Sequence, residues 1–246
     1  MRLYDEIIHD ILTSLEKQDK HILPVGAAAD PVSRDWQDAG KAMMILQPDM
    51  AYELGGHNLP AVGNTLVTTE EGFVAGDEIV LIGKDLPDIA EDTPYARIAL
   101  VRVAEDSIGT GDRLYNTIRN IGYFRYHIYP KGFMLRVSSS NDRESVRVEA
   151  EALNEGLNFT AIGNAMLRAL HLHKEVEAVR IIFVTDSKVD YGRLQDGLKK
   201  TKQITATIDH MLKDVNMDCG SCGLQEICDE IEGLREMHFG MSEEHT

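Results

Sequence analysis

All three cysteines of the 246-residue chain fall within ten positions, in Asp218-Cys219-Gly220-Ser221-Cys222-Gly223-Leu224-Gln225-Glu226-Ile227-Cys228. Thiolates bind soft metals and iron–sulfur units, and Cys-Gly-Ser-Cys offers two of them from one small-residue turn. With His238 the run reads Cys-x2-Cys-x5-Cys-x9-His, enough donors for a closed four-coordinate site. Cys219, Cys222, Cys228 and His238 are therefore the expected metal ligands. The donor chemistry leaves iron–sulfur and zinc open, with free thiols in a tail as the plain alternative. For His238 that alternative is an exposed position on a helix over Ile231 to Phe239.

A second concentration of chemistry lies upstream. Arg113, Arg119, Arg125, Lys131, Arg136, Arg143 and Arg147 are opposed in their interval only by Asp142 and Glu144, a local charge of +5 in a chain of formal charge −16. A phosphate-bearing ligand could use that excess, and basic side chains on a solvated strand face would also produce it. Interleaved with it, Tyr123, Phe124, Tyr126, Tyr129 and Phe133 form the densest aromatic run of the chain. Such a run either stacks a nucleobase or packs under a helix-to-strand turn. His171 and His173 do not share a helix face and read as structural.

The charge excludes general affinity for nucleic acid or anionic membrane. No apolar run approaches the roughly twenty residues that span a bilayer, and the N-terminus lacks a signal-peptide layout. A cytoplasmic protein is expected, in which clustered cysteines favour metal or redox chemistry over disulfides.

These residues must be positioned by a domain, and the hydrophobic pattern supplies its elements. Leu3, Ile7, Ile8, Ile11, Leu12 and Leu15 predict an amphipathic first helix, residues 26–33 a loop, and Trp36 to Met44 a second short helix. Short apolar runs after His57 look like strands, best at Asp77 to Ile82 and Ala96 to Val103. A helix over Gly111 to Ile121, strands at Phe133 to Val137 and Ser145 to Val148 around an Asn141-Asp142 turn, and a helix over Ala161 to His173 follow. A buried strand at Val179 to Thr185 and a long helix from about Asp190 to Leu212 complete the order, which fits an α+β fold: a layered mixed sheet with flanking helices. The expected division is an N-terminal helical extension (1–48), an α+β domain (49–212) and a cysteine-bearing tail (213–246).

Several segments together resemble the acetyl-CoA synthase family, the beta subunit of the CO dehydrogenase/acetyl-CoA synthase complex. They are Tyr52-Glu53-Leu54-Gly55-Gly56, Ile82-Gly83-Lys84-Asp85-Leu86, Leu135-Arg136-Val137-Ser138, Ile162 through Leu170, Ile182-Phe183-Val184-Thr185-Asp186 and Cys219-Gly220-Ser221-Cys222. Their order is similar to the family's middle domain running into the start of its metal-binding domain, over about residues 50 to 230. The resemblance implies that Cys219, Cys222 and Cys228 hold a four-iron, four-sulfur cluster, with Cys222 at the position that bridges to nickel and His238 near the spacing of a fourth cysteine. It implies coenzyme A at Arg113, Arg119, Arg125 and Arg136, and partners in anaerobic one-carbon metabolism: a corrinoid protein or methyltransferase and other subunits of the complex. The Cys-Gly-Cys that holds the distal nickel in that family is not in this sequence, so a relative lacking the full nickel site is expected. The alternative is a non-catalytic docking module whose tail binds zinc or no metal.

Overall fold

The computed structural model describes residues 3–26, 36–56, 58–105, 112–138 and 143–213. A five-stranded sheet in the order β1-β4-β8-β5-β3 forms its centre. The strands are β1 (His21–Leu23), β3 (Ala61–Thr68), β4 (Glu78–Ile82), β5 (Tyr95–Val103) and β8 (Val176–Val184). β4 runs parallel to β8 and β3 parallel to β5, whereas β5 and β8 are antiparallel, so the sheet is mixed. A smaller antiparallel sheet, β2-β7-β6, comprises β2 (Met50–Leu54), β6 (Phe133–Val137) and β7 (Glu144–Glu149).

The near-continuous burial along β5 and β8 follows from cover on both faces of the main sheet. On one face lie α1 (Asp5–Ser14) and α5 (Tyr191–Lys213), which pack on each other. Asn64 of β3 points to that side and donates from Nδ2 to Thr201 Oγ1 of α5 at 3.1 Å. Its neighbour Gly63 points to the other face, where a Cβ would run into the Glu144 side chain. That face carries the smaller sheet and α4 (Phe159–Leu170), with Gly163 allowing α4 to close on Ile79 of β4. Phe159 stacks on Phe183 with ring centroids 4.5 Å apart and meets Tyr95 and Phe133 at 6.5 and 6.4 Å, so four rings join the two sheets through the start of α4. α2 (Asp112–Gly122) packs on β3 and α5, and α3 (Ala150–Asn154) follows β7.

The family-like segments acquire physical roles here. Asn164, only 3% exposed, accepts from Gly26 N and donates to Pro24 O, fixing the chain after β1 to α4. Asp85 accepts from Leu86 N and Phe159 N, capping the turn after β4 and the first turn of α4 together.

The α+β architecture and the strand and helix cores predicted from periodicity are present. The helix expected over Trp36 to Met44 is not. Gly40 takes φ +72°, and the segment lies extended along residues 129–131: Ala39 N donates to Tyr129 O, Lys131 N to Gln37 O, and Trp36 Nε1 to Lys131 O. Tertiary hydrogen bonds to a segment distant in sequence outweigh a weak helical pattern. The Asn141-Asp142 turn, most of the 26–33 loop and the tail beyond Lys213 lie outside the described residues.

Candidate functional site

The smaller sheet alternates with period two, and its outer face forms a cleft. Val146 and Val148 of β7 are buried in the core, while Ser145 and Arg147, which alternate with them, face the other way. Glu53 of β2 stands opposite Arg147, and Arg136 of β6 opposite Ser145. Glu53 therefore receives two guanidinium groups, Arg136 Nη1 and Arg147 Nε at 2.6 and 2.8 Å. Arg147 also donates to Ile45 O, and Arg143 donates to Gly55 O and Leu59 O. Gly55 at φ +64° and Gly56 bring the following loop over Glu53, since a Cβ on Gly56 would lie 2.6 Å from its carboxylate. The cleft encloses about 690 Å³, and its lining includes Arg136, Arg143, Arg147, Glu53 and Asp92. Three guanidinium groups against two carboxylates leave it one positive charge, in a geometry suited to oxyanions.

Of the four arginines expected to meet coenzyme A, Arg136 alone lines this cleft. Arg113 and Arg119 are exposed on α2. Arg119 donates from Nε to Tyr123 Oη at 2.8 Å and lies over the rings of Tyr115 and Tyr123, and Arg125 lies over Tyr126. Tyr123 and Tyr126 meet edge to face at 5.7 Å and are 39% and 43% exposed. The aromatic run thus divides: Phe124 and Phe133 belong to the core, whereas Tyr123 and Tyr126 are exposed, Tyr123 against the exposed Arg119 and Tyr126 against Arg125, whose side chain is mostly buried. His171 pairs with Asp77 at 2.9 Å.

Between the two sheets lies a buried ion pair. Arg97 of β5, fully buried, donates from Nε and Nη2 to the two oxygens of Glu144 at 2.6 and 2.8 Å, and from Nη1 to Asn64 O. Arg125 Nη1 stands 3.7 Å from the same carboxylate. Burial alone would pull the Arg97 guanidinium down, and the Glu144 charge and hydrogen bonds more than offset it, leaving it above its ordinary value. The adjacent Tyr95 hydroxyl is held well above its usual range by burial and by the Glu144 charge.

A second cavity of about 360 Å³ opens at the ends of the parallel strands β4 and β8, lined by Lys84, Glu91, Thr185 and Asp186 among others. No group of three or more His, Cys, Asp or Glu side chains that could hold a metal occurs among the described residues, and Cys219, Cys222, Cys228 and His238 lie outside them.

Sequence reasoning counted Arg143 and Arg147 in the basic stretch without selecting them, and passed over Glu53 and Arg97. The period-two alternation of β7 would have placed Arg147 beside Arg136. An arginine at the third position of Tyr95-Ala96-Arg97-Ile98-Ala99-Leu100-Val101 announces a buried carboxylate partner.

Fold and site define a two-sheet α+β domain with an arginine-lined cleft on its smaller sheet. Residues 38–189 match the profile of the CO dehydrogenase/acetyl-CoA synthase complex beta subunit family, and the chain belongs to that family. The matched span contains the cleft, the buried ion pair and both sheets except β1. No curated protein matches the chain. Among the described residues, no helix is long and apolar enough to cross a membrane.

Proposed function

We propose that this chain is an acetyl-CoA synthase-like subunit of the acetyl-CoA pathway that binds an iron–sulfur cluster through Cys219, Cys222 and Cys228, with His238 as the fourth ligand. It works beside corrinoid and methyl-transfer partners of the complex. The family match over residues 38–189, continued by a cysteine run at the expected end, carries this reading. Three thiolates and an imidazole are a chemically competent set for a four-iron cluster, and histidine in place of cysteine raises a cluster's reduction potential. When bound, the cluster supplies one-electron transfer.

What the chain's own residues add is recognition of an anion. Arg136, Arg143 and Arg147 offer the phosphates of coenzyme A a partly neutralised, pre-positioned fork, and Glu53 keeps two of these guanidinium groups in place without ligand.

Titration calorimetry tests the anion site. Coenzyme A should bind the full chain, and Arg136→Ala should weaken it about tenfold, roughly 1.4 kcal/mol. Pantetheine, which has no phosphate, should not distinguish the two proteins. Equal affinity of wild type and Arg136→Ala for coenzyme A removes the cleft from the account.

A further inference from the structure

The outer face of the smaller sheet changes character along its strands. Its cleft residues run from Met50, which pairs with Glu149, through Glu53 opposite Arg147 and Arg136 opposite Ser145, to Arg143 at the carbonyl of Gly55. From Met50 to Gly55 the chain covers about 17 Å. The three guanidinium groups gather in the half between Glu53 and Gly55, whereas Gln47 and Met50 line the other half.

A strap crosses the sheet at that second end. Ile45, 2% exposed, donates from N to the Met134 sulfur at 3.3 Å and accepts from Arg147 Nη1 at 3.0 Å, which pins the segment over β6 and β7. With Ile45 turned inward, Leu46 stands 53% exposed in extended backbone, directly before Gln47. Leu46, Gln47 and Met50 thus place a branched aliphatic group, a primary amide and a thioether beside the arginines. Among the described residues no aromatic ring lines the cleft, so the flat partners it offers a nucleobase are the guanidinium planes at the opposite end.

We propose that the cleft holds coenzyme A in one direction, with phosphates and adenine at Arg136 and Arg143 and the pantetheine arm along Met50, Gln47 and Leu46. Leu46 and Gln47 then determine specificity for the arm, a role that rests on the assignment of coenzyme A to this site. The arm is aliphatic apart from its amide groups, so it takes apolar contact from Leu46 and Met50 and a hydrogen bond from the Gln47 amide. Turned round, the ligand would draw its phosphates away from Arg136 and Arg143 and lose their charge-assisted hydrogen bonds.

Titration calorimetry of the full chain tests the direction. Leu46→Ser with Gln47→Ala, both exposed positions, should weaken coenzyme A about fivefold, yet leave unchanged the affinity for adenosine 3′,5′-bisphosphate, the nucleotide end without the arm. The double variant should keep the thermal melt of the wild type, and Arg136→Ala should weaken both ligands. Equal loss for the two ligands in the double variant puts the adenine at the Leu46 end and overturns the proposal. So does a double variant that binds coenzyme A as tightly as the wild type, or a wild type that binds coenzyme A but not the bisphosphate. A wild type that binds neither ligand fails the coenzyme A assignment itself, and the direction falls with it.

Discussion

Arg97 and Glu144 tie the two sheets together with a charge pair that neither sheet could hold alone. Each side chain is essentially inaccessible, so removing one partner strands a buried charge in the other. Arg97→Met should cost about 3–5 kcal/mol in denaturant unfolding, while Arg97→Met combined with Glu144→Leu should recover most of the loss. Equal destabilisation by the single and double changes would show that the pair's hydrogen bonds to Asn64 and its packing on Phe124, rather than its charges, hold the sheets. Little of this was visible in the sequence. Arg97 and Glu144 are 47 residues apart and belong to different sheets, so no local period links them. Glu144 reads as a surface charge in a basic interval until β7's alternation places it beside Gly63.

At the scale of elements, periodicity was a sound guide where burial on one or both faces enforced it. α1, α5, β5 and β8 follow their apolar patterns because the five-stranded sheet and its helical cover leave each pattern one satisfactory orientation. Trp36 to Met44 departed because its hydrogen bonds go to residues 129–131, which no window around Trp36 contains. Asp85 shows what joins elements across such distances. Burial raises its pKa, and the two backbone N–H donors that it caps oppose the rise without cancelling it. A carboxyl raised in the folded state contributes stability below its unfolded pKa and loses it as pH climbs through the folded value. Asp85→Asn keeps an acceptor for Leu86 N and Phe159 N without the charge. Its stability should therefore gain on the wild type as pH rises from about 4 to 7. Asp85→Ala should lie about 1 kcal/mol below Asp85→Asn at any of these pH values, because both caps go. Thermal melts of the three proteins across that range measure both effects, and parallel pH curves for wild type and Asp85→Asn would refute the burial argument.

For the whole molecule, net charge is partitioned: the described domain presents arginines on the cleft and on α2, and half of the net negative charge lies after α5. Family membership was legible from short motifs because the packing demands behind them are specific, as at Gly163 against Ile79 and Asn164 against Pro24 and Gly26. The arginine cleft was half legible, since charge counting found the basic interval but only strand register divides Arg136, Arg143 and Arg147 from Arg113, Arg119 and Arg125. The central claim is that the cysteine run following this domain holds an iron–sulfur cluster. Iron and zinc analysis of the anaerobically purified full chain, with its visible spectrum, tests it most directly. The account predicts a brown protein with about four irons per chain, lost in Cys222→Ser. A colourless protein with one zinc, or metal content that survives Cys222→Ser, would contradict it.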